Sequence, residues 1–154
     1  MALPKTKQFI KGISMKQVSK EEIIKKEGNY KAFEYEGYKC RILRPHKLQS
    51  EKSEMIFLCG YVLLPEGHKY YQKDYDDIDV GVHGGLTFAD SELFAQPEKG
   101  WWIGFDCGHA GDLCYLKESE YNFVGRNDVY RDMDYVEKEI KHLVDQLKEN
   151  HVSK

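Results

Sequence analysis

The sequence has little of what marks several large classes of protein. Its 154 residues include only four cysteines and no C-x-x-C pair, the cysteines being Cys40, Cys59, Cys107 and Cys114. A disulfide framework or a zinc knuckle needs such spacing, so the thiols are predicted to be free and mostly buried. No apolar run is long enough to cross a bilayer, and no signal-peptide pattern follows the first lysines. We therefore expect a cytoplasmic protein without membrane association.

A net positive charge is absent as well. The formal net charge is −3 at pH 7 and the isoelectric point is about 6.1, whereas phosphate backbones attract clustered basic surfaces. Neither a G-x-G-x-x-G nor a Walker A pattern occurs, so nucleic-acid binding and the common nucleotide-binding folds are not expected. What is present is a globular composition, 41% hydrophobic with eleven tyrosines and seven phenylalanines, which is enough for one domain with a core.

The first 27 residues differ from the rest of the chain. They carry seven lysines and few apolar residues. Ser19 followed by Glu22 fits a capping box, which predicts a short helix over 20–27. We therefore divide the chain into a lysine-rich N-terminal arm with a short helix, residues 1–27, and a single domain, residues 28–154. The arm has two interpretations, a solvated segment or a basic segment that packs on a partner.

Residues 31–64 have the pattern of antiparallel strands. Phe33 and Tyr35 alternate with polar residues before Glu36-Gly37, and the alternation resumes from Tyr38 to Ile42. A period of two on both sides of a glycine turn predicts a β-hairpin. Residues 56–64 are apolar on both faces, which predicts a central strand.

Two more strands are predicted at the starts of two glycine-rich segments. Apolar residues alternate with polar residues or glycine in 78–83 and in 101–107. If these strands are neighbours, Ile78, Val80, Ile103 and Phe105 face the core. The other face then forms one surface above Gly81 and Gly104, carrying Asp79, His83, Trp102 and Asp106. Residues 86–89 are a candidate for a strand beside 78–83.

The C-terminal segment has helical periodicity. Its apolar residues recur every three or four positions, which predicts one amphipathic helix buried through Met133, Val136, Ile140, Leu143, Val144 and Leu147. Acidic residues near its start and Lys148 near its end suit the helix dipole. The connections between strands leave little room for crossover helices. The predicted fold class is therefore α+β, a single domain with a mainly antiparallel β-sheet covered by this helix.

The two glycine-rich segments, residues 78–85 and 101–112, form the predicted functional site. Each places histidine and carboxylate side chains beside glycines, where a ligand can approach the backbone closely. The predicted binding residues of this site are Asp79, His83, Gly84, Gly85, Thr87, Trp102, Asp106, His109 and Asp112.

A metal site is the alternative interpretation. Imidazole and carboxylate ligands suit a divalent transition metal, which a metal-dependent hydrolase would hold through His83, Asp106, His109 and Asp112. The chain has no H-E-x-x-H or other specific ligand spacing, so the first expectation is that no cofactor binds. Cys107 lies near His109 in sequence, but the alternation places it on the apolar face, which favours buried packing over a nucleophile.

The connection at 68–77 is rich in tyrosine and aspartate. Tyr70, Tyr71 and Tyr75 are treated as exposed aromatics, which give large contact area at a low entropic cost. Tyr71 and Tyr75 are added to the predicted binding residues, and the neighbouring aspartates favour a basic partner protein. The spacing lacks the glycine and final glutamate of an EF-hand loop, so calcium is not expected.

Motifs across residues 31–147 resemble a family of small bacteriophage and prophage proteins. These motifs include Gly60-Tyr61-Val62, Pro65-Glu66-Gly67-His68, Tyr75-Asp76-Asp77-Ile78-Asp79, His83-Gly84-Gly85-Leu86-Thr87 and Trp101-Trp102-Ile103-Gly104-Phe105-Asp106-Cys107-Gly108-His109-Ala110-Gly111-Asp112. The resemblance implies a phage-encoded accessory protein in the host cytoplasm, and it implies no particular activity, cofactor or catalytic residue. By association it favours an inhibitor or sequestering protein that acts on a host system, defence systems included.

The sequence thus leads to hypotheses of different classes. The first is an accessory binding protein, not an enzyme, that engages or inhibits a host protein or sequesters a small polar ligand through the glycine, histidine, aspartate and tryptophan surface. The second is a metal-dependent hydrolase using the same histidines and aspartates. A third is nucleic-acid mimicry through the acidic residues 74–79, or nucleic-acid binding through the lysine-rich arm.

Overall fold

An antiparallel sheet of five strands with one long helix against it forms the body of the structure. The computed structural model describes residues 20–45, 55–116 and 129–149. The main sheet has the order β1-β2-β4-β6-β5, and β3 pairs with β7 in a separate two-stranded sheet. The predicted α+β class is confirmed. In chain order the elements are α1 (Lys20–Glu27), β1 (Tyr30–Tyr35), β2 (Tyr38–Leu43), β3 (Met55–Ile56), β4 (Cys59–Leu64), a 3₁₀ turn (Tyr75–Asp77), β5 (Phe88–Asp90), β6 (Trp101–Asp106), β7 (Tyr115–Leu116) and α2 (Met133–Glu149).

Strands β1 and β2 form the predicted hairpin. Tyr35 pairs with Tyr38 next to the turn. The turn residues Glu36 and Gly37 have positive φ angles of 54° and 85°, as a two-residue type I′ turn requires. Glycine adopts this conformation without strain, so the turn fixes the register of the hairpin.

Helix α2 packs its apolar face on the sheet as the periodicity predicts. Its contacts include Cys40, Val62 and Phe105, which belong to one face of the sheet. Neither helix in the described residues is long and apolar enough to cross a membrane. All six predicted core residues of the helix are buried, namely Met133, Val136, Ile140, Leu143, Val144 and Leu147.

The opposite face of the sheet is covered by residues 91–100, the connection from β5 to β6. Arg41 Nε donates to Gln96 Oε1 at 2.7 Å, and Trp102 Nε1 donates to the Glu98 carbonyl at 2.9 Å. Trp102 is fully buried beneath this connection. The prediction that Trp102 lies on an open binding surface is therefore wrong, because residues 91–100 cover its part of β6.

Residues 78–83 do not form the predicted strand. Ile78, Val80 and Val82 do contribute to the core, but the segment runs beside α2 instead of beside a strand. Gly81 N–H donates to Gln146 Oε1 at 2.7 Å, and the Gly81 carbonyl accepts from Gln146 Nε2 at 2.7 Å. A glutamine amide thus satisfies this backbone in the way a neighbouring strand would, and the alternation alone cannot distinguish the two.

The strand that pairs with β6 on this side is β5. Phe88 lies opposite Gly104, and Ala89 lies opposite Ile103. The candidate strand at 86–89 therefore begins two residues later than predicted and pairs with β6, not with 78–83. The predicted central strand at 56–64 is also shorter, since β4 begins at Cys59 while Ile56 belongs to β3.

A buried ion pair joins α1 to the end of β2. Arg44 is only 3% exposed, and its Nη2 donates to Glu27 Oε2 at 2.7 Å. Its Nη1 donates to the Tyr130 hydroxyl at 2.9 Å, and that hydroxyl donates to Glu27. Glu27 Oε1 also accepts from the backbone N–H of Met133, the first residue of α2, at 2.9 Å.

The short helix predicted over 20–27 is confirmed as α1. It is held on the domain through Glu27 and through Ile23, which is buried. The rest of the predicted arm, residues 1–19, lies outside the described residues, as does Ser19 of the proposed capping box.

Candidate functional site

Asp112 is the centre of the predicted site. It is 4% exposed, and both carboxylate oxygens lie 2.9 Å from His83 Nε2. Arg131 Nε donates to Oδ1 at 2.9 Å, and the His109 backbone N–H donates to Oδ2 at 3.0 Å. Burial raises the pKa of Asp112, but the hydrogen bonds from His83, Arg131 and His109 outweigh it and lower that pKa below its usual value. Asp112 is thus an ionised, fully bonded carboxylate.

His83 connects Asp112 to α2. Its Nδ1 lies 2.8 Å from the Tyr135 hydroxyl. Because Nε2 faces an ionised carboxylate, Nε2 carries a proton and donates it to Asp112, while Nδ1 and the Tyr135 hydroxyl share a second hydrogen bond. The Arg131 guanidinium lies 4.8 Å from the centre of the Tyr135 ring. His83, Asp112, Arg131 and Tyr135 therefore form a closed set of contacts, which we call the inner network.

Gly84 brings the two glycine-rich segments together. A Cβ at Gly84 would lie 2.4 Å from His109 Cδ2, and its φ is +68°. Both facts favour glycine, because a larger residue would push the histidine away and strain the backbone. Gly85 N–H closes the turn by donating to the Val82 carbonyl at 2.8 Å. The predicted meeting of the segments therefore occurs, through a turn against a histidine ring.

Next to the inner network lies a more exposed group, the outer patch, which consists of Gly85, Thr87, Asp106 and His109. Thr87 Oγ1 donates to Asp106 Oδ2 at 3.0 Å. His109 Nε2 lies 3.1 Å from Asp106 Oδ1, with side chains 33% and 26% exposed. The geometry is not that of a hydrogen bond, and Nε2 has no other hydrogen-bond partner among the described residues. His109 Nε2 is thus a buried polar atom beside the Asp106 carboxylate whose hydrogen-bonding capacity is not used within the described residues.

The structure thus gathers most of the predicted binding residues and separates the others. His83, Gly84, Gly85, Thr87, Asp106, His109 and Asp112 lie in the inner network, in the outer patch or in the turn between them. Asp79 is exposed and belongs to neither group. Trp102 lies on the covered face of the sheet.

The tyrosines at 70 and 71 are less exposed than predicted. Tyr70 is buried in the core at 6% exposure, and Tyr71 is partly buried against that core. Tyr75 is 38% exposed. The prediction of three exposed aromatics is wrong for Tyr70 and only partly right for Tyr71, because the first part of this connection packs on the core and only residues 72–77 are all exposed.

Sequence reasoning missed two members of the inner network, Arg131 and Tyr135. Arg131 precedes α2 and Tyr135 lies in its first turn, and the cap at Asp132 brings the Arg131 guanidinium over the Tyr135 ring. Nothing in the sequence indicates that the start of α2 meets the glycine-rich segments.

The chemistry available at the site is limited by these contacts. No group of three or more histidine, cysteine, aspartate or glutamate residues in the described part of the chain is placed to hold a metal ion. Asp112 already accepts from three donors. Burial raises the pKa of Cys59 to about 12 and also raises the pKa of Cys107, so neither thiol ionises readily near neutral pH. Metal-dependent hydrolysis by this site stays a prediction without structural support.

His109→Ala should separate a structural role from a metal-ligand role. We expect the variant to fold and to lose about 1 kcal/mol of unfolding free energy, because the bond from the residue 109 backbone to Asp112 is kept and only the ring contacts are lost. Chemical denaturation measures the change. Elemental analysis of the dialysed wild type is the second measurement, and stoichiometric metal that His109→Ala fails to retain would contradict the expectation that no cofactor binds.

Known proteins supply no function by similarity: no family model, curated protein or solved structure matches the chain. Contacts, exposure and charge within the described residues therefore carry the functional argument.

Proposed function

We propose that the protein is a phage-type accessory binding protein that engages, and thereby inhibits, a basic protein of the bacterial host, without catalysis. The observation that carries the proposal is an exposed acidic loop, residues 74–79, at the end of the sheet opposite the outer patch. The inner network supports it indirectly. Its polar groups are bonded to one another, as a scaffold for loops needs, whereas a catalytic site keeps groups available for substrate.

The acidic loop presents unusual charge for its length. Asp74, Asp76, Asp77 and Asp79 are all exposed, and none forms an ion pair with a described residue. Tyr75 stands among them with 38% of its surface exposed. Carboxylates that have no ion-pair partner among the described residues can be paired by a second protein without first breaking an ion pair there.

The loop is held in a fixed shape. Asp74 Oδ1 accepts from the Tyr75 backbone N–H at 2.8 Å, and the Asp77 N–H donates to the Asp74 carbonyl at 2.9 Å. Trp101 Nε1 donates to the carbonyl of Lys73 at 2.8 Å. A loop that is ordered before binding loses less conformational entropy when the partner docks.

A basic partner fits this chemistry best. Tyrosine gives contact area with a polar tip, and carboxylates around it favour lysine and arginine at the rim of the complex. Such a rim speeds encounter and makes it sensitive to salt. The proposal therefore includes a salt-dependent association in which Tyr75 is the central contact.

The test compares wild type with a Tyr75→Ala, Asp76→Asn, Asp77→Asn variant. Tyr71 is left intact because it packs on the core. We expect the variant to fold normally and to bind the host protein at least about tenfold more weakly, since a central tyrosine and its charged rim are lost. Affinity capture from a bacterial lysate identifies the protein, and calorimetry with the purified partner measures the affinity at low and high salt.

The matched control is an Asp134→Asn, Glu149→Gln variant, which removes two exposed negative charges from α2. It should bind like wild type, since general charge is not the recognition element. If the loop variant binds the same partner with wild-type affinity, the loop is not the recognition surface. The outer patch, whose His109 Nε2 has no hydrogen-bond partner among the described residues, would then become the leading candidate, for a small polar ligand. The metal-dependent hydrolase remains the alternative function and depends on the metal analysis above.

A further inference from the structure

His68 is a buried histidine between the connection that follows β4 and the last turn of α2. It is 4% exposed, and its ring packs edge-on against Tyr38, with the ring centres 6.3 Å apart. It belongs to neither the inner network nor the outer patch. Histidine is the side chain whose charge ordinarily changes between pH 5 and 8, so the bonds of this ring decide what acidification does to the end of the sheet.

Backbone groups fix the position of the proton on the His68 ring. Nδ1 lies 3.0 Å from the backbone nitrogen of Tyr70, which can only donate. Nε2 lies 3.0 Å from the carbonyl oxygen of Leu147, which can only accept. Nδ1 is therefore unprotonated and Nε2 carries the hydrogen, which together define a neutral imidazole.

The bond to Leu147 attaches the connection to α2. Leu147 lies in the last turn of the helix, where carbonyl groups have no partner within the helix. Its carbonyl accepts from a side chain that is 79 positions away in the chain. His68 thus closes the C-terminal end of α2 and holds the connection against it.

The bond to Tyr70 is the first of a series of turns that leads to the acidic loop. Tyr71 N–H donates to the His68 carbonyl, and Lys73 N–H donates to the Tyr70 carbonyl, both at 3.0 Å. Gln72 has a φ of 66°, a left-handed conformation that costs energy in a residue with a Cβ. The acidic loop starts directly after Lys73, so its position depends on turns that are closed against backbone strain.

A second proton on the ring would remove the bond to Tyr70. Protonated Nδ1 is a donor, and two N–H groups would then face each other in a site from which water is excluded. The C-terminal end of a helix attracts positive charge, which acts in the opposite direction. The neutral ring already donates to Leu147 through Nε2, however, so the charge strengthens a bond that exists, whereas the bond to Tyr70 is lost altogether.

The groups around His68 leave this conclusion in place. Tyr38 of β2 and Tyr70 of the same connection pack on the ring, and a phenol carries no charge near neutral pH. The charged residues next to it on the connection and at the end of α2 are all exposed, so solvent and salt screen their effect on the buried ring. These residues are Glu66, Lys69, Asp145, Lys148 and Glu149, and Lys148 is paired with Glu36.

We propose that His68 is a proton-sensitive latch, which holds the connection on α2 at neutral pH and which acidification opens, so that the acidic loop loses its fixed position. The released ring takes up a proton like an ordinary histidine, whose pKa is about 6.5. The open form therefore binds more protons than the closed form, and closure weakens as the pH falls through that value. The consequence for the host protein rests on the proposed function, because only the closed form presents the loop in its binding shape.

Hydrogen exchange of the wild type at about pH 7.5 and about pH 5.5 tests the proposal. The opening equilibrium should rise about tenfold between these values, because the released ring is protonated only at the lower one. The protection factors of the Tyr70, Tyr71 and Lys73 amides, measured by NMR relative to those of β4, should fall by that factor. Protection factors that stay constant relative to β4 would overturn the proposal. So would a His68 ring that is protonated at the lower pH while these amides stay protected.

His68→Asn removes the titrating group and keeps the turn. An asparagine side-chain oxygen accepts from the backbone N–H two residues further on, as Nδ1 does here, and it does not titrate. The relative protection factors at Tyr70 and Lys73 should then change by less than about twofold between the two pH values. His68→Gln, whose amide nitrogen can donate to Leu147, is the second variant if His68→Asn does not fold. A folded variant that keeps the pH response of the wild type would overturn the proposal.

The matched control is His142→Asn, which replaces an exposed histidine on α2. It should keep the tenfold response of the wild type, since its ring is already in solvent. A response that is lost in this variant as well would overturn the assignment to His68. The exchange measurements need no host protein, so the latch and the proposed function can fail separately.

Discussion

Asp112→Ala should lower the free energy of unfolding by about 3–5 kcal/mol, the usual cost of removing one partner of a buried ion pair. The variant leaves Arg131 and the His109 N–H without their acceptor, and it leaves His83 without the group that holds its proton. Urea denaturation of the wild type and the variant measures the difference. A loss below about 1 kcal/mol would contradict the view that the inner network is a scaffold.

The matched control is Asp106→Ala. This carboxylate is also bonded, to Thr87 and to the Gly108 N–H, but its side chain is 26% exposed, so water can replace much of what is lost. We expect a cost of about 1 kcal/mol. Equal losses for the two variants would mean that the burial of Asp112 does not make it contribute more to stability than the more exposed Asp106.

The pH dependence of stability should also show that the ionised form of Asp112 stabilises the folded protein. Because the pKa of Asp112 is lowered in the folded state, its ionised form stabilises the protein fully above the pKa of the unfolded chain. That contribution is lost as the pH falls from about 4 through the lower folded pKa. The stability difference between wild type and Asp112→Asn should therefore be constant near neutral pH and shrink in acid. A difference that grows as the pH falls would contradict this sign.

Local periodicity accounts for the parts of the fold that the sequence predicts correctly. The hairpin follows from alternation around Glu36-Gly37, and α2 follows from apolar residues three and four apart. Both patterns arise within one short stretch of chain. The strand predicted at 78–83 has the same kind of pattern, but its partner is Gln146 of α2. Alternation indicates which side chains face the core and gives no information on what satisfies the backbone between them.

At the candidate site, too, the local sequence pattern predicts some contacts, and it misses those made by segments distant in the sequence. Glycine next to His83 and His109 predicted a close meeting of two loops, and Gly84 against the His109 ring is that meeting. The alternation within β6 predicts Trp102 on the binding surface, because Trp102 shares a face of that strand with Asp106. The connection at 91–100 folds over only part of that face, and this could not be deduced from alternation within β6.

Arg44 illustrates a feature that sequence patterns do not reveal at all. Its partners Glu27 and Tyr130 are 17 and 86 positions away, and none of the three belongs to a motif. An arginine near the end of an alternating strand is ordinarily exposed, yet this one is 3% exposed. The network positions the N-terminus of α2, and α2 in turn supplies Tyr135 and Gln146 to the glycine-rich segment.

Arg44→Met should therefore destabilise the protein by about 3–5 kcal/mol, as much as Asp112→Ala, although it lies outside the candidate site. Methionine fills similar space but leaves the Glu27 carboxylate buried without its cation, while Glu27 still has to accept from Tyr130 and Met133. Thermal and urea denaturation measure the loss. Amide hydrogen exchange should in addition show faster exchange in α1 and in the first turn of α2, where the network is anchored.

A double variant, Glu27→Gln with Arg44→Met, gives the internal control. Removing both charges relieves the unpaired carboxylate, so the double variant should be more stable than Arg44→Met alone, and the two effects should not add. Additive losses would mean that the two side chains act independently, and the ion pair would then not be what fixes α1 and α2 to the end of β2. Recovery of stability together with normal exchange in α2 would show that the shape of this contact, more than its charge, holds the helix that supports the candidate site.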